Sequence, residues 1–83
     1  SASFRDLVKK LYTSEKPADR HAAIRELVKL DREENPGVVR ALIARAKYDP
    51  SEVVRVDCIR HIVHHKMATP EVVTELSQLT RDK

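Results

Sequence analysis

The sequence has no tryptophan, one glycine and one cysteine, and aromatic residues make up only 4% of it. Each scarcity excludes something. A lone cysteine, Cys58, cannot close an internal disulfide, which rules out a disulfide-stapled mini-protein. One thiol is also too few for a thiolate zinc site. A single glycine, Gly37, leaves no Gly-rich loop to cradle a phosphate. No apolar run approaches the ~20 residues of a membrane span, and no signal peptide is expected. Tyr12 and Tyr48 are the only large polar aromatics, a poor platform for stacking single-stranded bases.

What is present describes one small helical domain. The chain has 83 residues, enough for one hydrophobic core and no more. Sixteen Lys and Arg stand against thirteen Asp and Glu, so the net +3 reflects a mixed surface and not a basic tail. A soluble domain of a reducing, cytoplasmic compartment is the expectation.

Proline organises the chain. Pro17, Pro36, Pro50 and Pro70 each precede a stretch with helical apolar spacing. Asn35-Pro36, Asp49-Pro50 and Thr69-Pro70 pair a capping residue with a proline at the first helical position. Asp49-Pro50-Ser51-Glu52 also reads as a capping box, and Ser3 opens a weaker start of the same kind. The pattern predicts helices at about 4–12, 17–31, 36–47, 50–66 and 70–81. Brief connections favour antiparallel neighbours.

The chain also repeats itself. Pro17 and Pro50 are 33 residues apart, and Pro36 and Pro70 are 34 apart. Slid by 35, Ala23-Ile24-Arg25-Glu26-Leu27-Val28 falls on Cys58-Ile59-Arg60-His61-Ile62-Val63, and Arg20 falls on Arg55. A period of this length built from two helices is the signature of a helical solenoid. Neither pair buries its apolar face alone, so the pairs must stack.

The stretch Asp49-Pro50-Ser51-Glu52-Val53-Val54-Arg55-Val56-Asp57-Cys58-Ile59 resembles the turn and second helix of a HEAT repeat. Val54-Arg55, the small Cys58 and the aliphatic Ile62 stand where that family has Val-Arg, a small residue and a large aliphatic. The first copy keeps Arg20, Ala23 and Leu27 but has Ser14-Glu15 in place of Asp-Pro. The resemblance implies an all-α, right-handed alpha-alpha superhelix of about two and a half HEAT-like hairpins. Residues 1–83 would form one domain, with repeat one at about 3–34, repeat two at about 35–68 and a partial third at 69–83. Such a domain is expected to be a fragment of a longer array, or to self-associate end to end. Two rivals share the period. Tetratricopeptide repeats need aromatic and glycine positions with no counterpart here. Pentatricopeptide repeats resemble Pro70-Glu71-Val72-Val73-Thr74 but need an apolar residue where Asp57 stands.

The expected core is aliphatic. Phe4, Leu7, Val8 and Leu11 come from the first helix; Ala23, Ile24, Leu27 and Leu30 from the second. Val39, Leu42, Ile43 and Ala46, then Cys58, Ile59, Ile62 and His65, continue it. Val72, Val73, Leu76 and Leu79 follow with no further helix to cover them fully; the alternative is that the last helix covers its own core and turns Glu71, Glu75, Gln78 and Arg81 to water. Cys58 replaces Ala23 and reads as a packing thiol. Arg55 reads as structural, reaching a turn carboxylate and backbone carbonyls in its own or the adjacent repeat.

Two clusters are candidate sites. His61, His64 and His65 lie close together, with Asp57 one turn before His61 and His21 elsewhere. The i, i+4 pair suits a shared metal ion in spacing, but no second cluster closes a site, and no metal or cofactor is expected. The second is a basic stripe of His21, Arg25, Lys29 and Arg32 on one helix, continued by Arg60 and His64 on the next copy. In a HEAT-like solenoid the second helices line the concave face. Arg25, Lys29, Arg32, Arg60 and His64 are therefore the expected partner-binding residues. The partner is expected to be a protein with an acidic surface, and duplex DNA held by its backbone is the alternative. No Ser-His-Asp order, Cys-His pair or acid pair points to catalysis, so a non-catalytic scaffold is expected.

Overall fold

The computed structural model describes residues 3–81, and side chains as far as Gln78. Its helices are α1 (Phe4–Thr13), α2 (Pro17–Leu27), α3 (Gly37–Tyr48), α4 (Glu52–His64) and α5 (Pro70–Arg81), with no strand among the described residues. None of them is long and apolar enough to cross a membrane.

Local chemistry sets where each helix starts. Ser3 Oγ accepts from the N–H of Asp6 (3.2 Å) and opens α1. Thr69 Oγ1 accepts from Val72 in the same way (3.3 Å) ahead of α5. Asp49 and Asn35 do not act as the sequence implies. Asn35 turns back to donate to the carbonyl of Asp31 (3.0 Å), and α3 starts after Pro36 without a side-chain cap. Ser51, not Asp49, caps α4 by accepting from Val54 (3.4 Å). The Asp49 carboxylate is engaged by Ser51 N–H and by arginine, so the capping box does not form.

Two helix ends also differ from expectation. α2 stops at Leu27 and not near residue 31. The N–H groups of Lys29 and Leu30 bond three residues back, to Glu26 and Leu27, which tightens the chain out of the helix. Asp31 then accepts from Glu33 N–H (2.9 Å), and the charged run Asp31-Arg32-Glu33-Glu34 offers no apolar side chain to hold a further turn on the core. α4 stops at His64 because Lys66 takes φ 60. Met67 N–H then bonds Ile62 C=O (2.8 Å) and Lys66 N–H bonds Val63 C=O (3.1 Å), the two bonds of a Schellman motif. Met67 buries itself at that corner.

Helices α1 and α2 pack as one hairpin and α3 and α4 as a second; α2 lies on α4 and α3 on α5. The molecule is a slab of 38 × 29 × 17 Å, two helices deep. Phe4 meets α3 at Gly37, where an added Cβ would come within 2.6 Å of the ring, so the glycine permits this close approach.

The core joins all five helices. Leu7, Leu11, Ala23, Ile24, Leu27, Leu42, Ile43, Ala46, Cys58, Ile62 and Val72 are buried as expected, and Phe4, Val8, Leu30, Val39, Ile59 and Leu76 pack against them half-buried. Val28, Val38, Ala41, Val54 and Met67 join the buried set. His65 is half-buried. Val73 is exposed, which corrects its place in the expected core. Glu75 is not free in water: it pairs with Arg40 (3.3 Å) and Lys47 (3.9 Å) of α3. The expectations for Leu79 and Arg81 lie outside the described side chains.

Candidate functional site

Two polar constellations join the hairpins, one at the first turn of α2 and one along the contact of α2 with α4. The first is a buried node around Asp49. Arg20, in the first turn of α2, donates from Nε to Asp49 Oδ2 (2.8 Å) and from Nη2 to Oδ1 (3.0 Å). Its Nη1 donates to the carbonyl of Ser14 (3.0 Å), so all three guanidinium nitrogens are used. Arg45 adds its charge from 3.6 Å and lays its guanidinium over the Tyr12 ring at 4.8 Å. Burial alone pushes the Asp49 carboxyl up. The bond from Arg20, the N–H of Ser51 and the charges of Arg20 and Arg45 outweigh it and hold the carboxyl below the usual range. Beside the node a shallow cleft of about 410 Å³ opens between Tyr12, Ser14, Arg20, Arg45 and Pro50.

Arg55 repeats the local half of this arrangement. Its Nη1 donates to the carbonyl of Asp49 (2.6 Å), six residues back, as Arg20 does to Ser14. No described residue accepts from its Nε or Nη2. Arg20 thus makes the cross-hairpin contact anticipated for Arg55, and Asp49 is its receiver. The alignment of Arg20 on Arg55 was the available signal; the missing step was to carry Asp49 back to the preceding copy.

The second constellation is the α2–α4 seam. His21 does not stand in a basic stripe. Its Nε2 lies 2.6 Å from Oδ2 of Asp57 on α4, and His61 Nε2 lies 3.4 Å from the same oxygen. Neither approach has hydrogen-bond angles, so that buried oxygen is held by contact with two imidazoles. The contact joins sequence-distant residues and could not be read from the histidine spacing. Further along, the His61 and His65 rings stack at 5.7 Å and His64 meets His65 edge-on at 5.0 Å. Among the described residues no group of three His, Cys, Asp or Glu is placed to hold a metal ion.

Arg25, Lys29, Arg32, Arg60 and His64 are all exposed. Arg25 and Arg60 occupy matching positions on the adjoining helices α2 and α4. Lys29 and Arg32 lie beyond the end of α2, so the expected stripe does not run along a single helix. Arg32 comes near enough to His65 for its charge to count there. Burial lowers the His65 pKa, and the charges of His64, His61 and Arg32 lower it further. Lys29 pairs with Glu26 (3.2 Å), and both are open to solvent. Cys58 is buried and its thiol is pushed up to about 12, chiefly by burial and then by Asp49 and Asp57. Such a thiol is not a nucleophile near neutral pH.

No protein-family model, curated protein or solved structure matches this chain.

Proposed function

We propose that the chain is a HEAT-like helical-repeat domain that acts as a non-catalytic scaffold, binding an acidic protein segment across the α2–α4 seam. The repeat reading is supported by one geometric coincidence. Arg20 and Arg55 are 35 residues apart, and each bonds the carbonyl six residues before it. The side-by-side packing of α2 on α4 and α3 on α5 is what stacked hairpins produce.

The observation that carries the binding reading is the set of exposed cations at the seam. Arg25 on α2, Lys29 and Arg32 just after it and Arg60 on α4 are each exposed. Opposing them are Glu26, Asp57, the Asp31, Glu33 and Glu34 that flank Arg32, and two helix C-termini of about −0.5 charge each. The net charge there is therefore not positive, and the binding reading rests on the four long cationic side chains that reach into solvent. Exposed cations on a broad surface suit an extended acidic segment rather than a small substrate.

The test is fluorescence anisotropy with a labelled Glu-rich peptide and, in parallel, a short DNA duplex, at about 50 mM and about 200 mM salt. Saturable, salt-sensitive binding of the peptide, weakened about tenfold or more by Arg25→Glu with Arg60→Glu, is expected. Preference for the duplex would transfer the seam to nucleic acid. Equal binding by the double variant would remove the seam from the account.

A further inference from the structure

We propose that the outward side of α4 is a docking surface for an amphipathic helix led by a carboxylate, received as α2 receives α4. α2 and α4 carry two versions of one set of positions, 35 residues apart. Where the copies face their own hairpin partner they agree: Ala23 and Cys58 are buried, as are Leu27 and Ile62. Where α2 faces α4 they part. Ile24 is 0% exposed and Val28 7%, and His21 touches Asp57, which fixes that side of α2 as the one α4 covers. The matching residues of α4 are Ile59, Val63 and Val56. Ile59 is half-buried, Val63 is 62% exposed and Val56 46%. The same apolar pattern is therefore covered in one copy and open in the other. His21, which needs a polar mate, is replaced by Val56, which does not, so the open face is the more apolar of the two.

The neighbouring arginine states what leads the occupant. Arg20 spends one nitrogen on its own turn and two on Asp49, which stands three residues before α4 begins. Arg55 spends one nitrogen on its own turn and offers two donors in the same fork. A planar fork of this kind takes a carboxylate with two parallel bonds. The occupant is accordingly a helix with an acidic residue in the turn before it and an aliphatic face of helical spacing. This proposal does not depend on the binding of an acidic segment at the seam.

The chain itself supplies a probe. A synthetic peptide of residues 47–66 contains Asp49 and α4, the segment that covers α2. It carries Asp57→Leu, because Val56 stands where His21 would be, and Cys58→Ala against oxidation. Anisotropy of the labelled peptide with the intact chain is expected to show saturable binding. Val63→Asp in the chain, at an exposed position that leaves the circular dichroism unchanged, should weaken it about tenfold or more. Arg55→Lys, which keeps the charge and loses the fork, should weaken it about fivefold. Asp49→Asn in the peptide should weaken binding to the wild-type chain and have no further effect on the Arg55→Lys chain. Arg25→Glu should leave docking unchanged. Binding that ignores Val63→Asp or Arg55→Lys overturns the proposal. So does a chain that sediments as a dimer and becomes monomeric with Val63→Asp, since the face would then belong to a second copy.

Discussion

The guanidinium of Arg20 holds both oxygens of Asp49 across 29 residues of sequence, with the pair almost wholly withdrawn from water. It ties the first turn of α2 to the turn between α3 and α4, and so fastens one hairpin to the next. A buried pair of this kind adds little over an apolar replacement, but breaking it from one side is costly, because the remaining charge is stranded.

Asp49→Ala should therefore destabilise the protein by about 3–5 kcal/mol. Against a total of roughly 0.1 kcal/mol per residue, that removes about half of the stability at 25 °C and leaves the chain folded with a much lower urea midpoint. Urea melts followed by circular dichroism would show it. The compensated variant Arg20→Met with Asp49→Leu should recover most of the loss, and failure to recover would mean that the turn itself, not the charge, is what Asp49 holds.

The same carboxyl sets the acid limit. Its folded pKa lies below the unfolded value of about 3.9, so its stabilisation is present above that pH and is lost as the pH falls through the folded value. Acid unfolding monitored by ellipticity should begin below about pH 4. In a folded Asp49→Leu, Arg20→Met background this contribution should vanish.

His65 acts at the other end of the scale. Its folded pKa is lowered, first by burial and then by the positive charges of His64, His61 and Arg32. The unfolded chain takes up its proton near pH 6.5 while the fold resists. Stability from this group is full above about pH 6.5 and declines as the pH falls through the lower folded value. His65→Leu, which copies Leu30 of the first hairpin, should raise stability more at about pH 5.5 than at about pH 8. Chemical denaturation at the two values would measure it.

Lys66 holds a left-handed φ of 60 at the end of α4, where glycine is the usual residue. Lys66→Gly should stabilise the protein by about 1 kcal/mol, raising Tm by about 4–8 °C. An unchanged or lower Tm in calorimetry would show that the Schellman corner is not strained by its lysine.

Much of this architecture was legible because helical spacing and proline punctuation are local signals. Leu7, Leu11, Leu42 and Ile62 fell on the core for that reason. The errors arose where long-range geometry overrode a local rule. Asp49 looked like a cap and instead receives Arg20 from the other hairpin. α2 lost its last turn because Asp31 and Asn35 bond the local backbone. His21 looked like part of a surface stripe and instead meets Asp57, a pairing set by how two helices stack. Among the candidate site residues, the exposure of Arg25, Lys29, Arg32, Arg60 and His64 followed from their place opposite the core; the end of α2 ahead of Lys29 and Arg32 did not.

The central functional claim is that an acidic segment binds at the C-terminal end of the α2–α4 seam. Its most direct test is a two-dimensional ¹H–¹⁵N spectrum of the labelled chain titrated with the Glu-rich peptide. The account predicts that the largest shifts cluster at Arg25, Lys29, Arg32, Arg60 and His64. Shifts centred instead on the exposed Arg5, Lys9 and Lys10 of α1, or spread evenly over every basic residue, would contradict it.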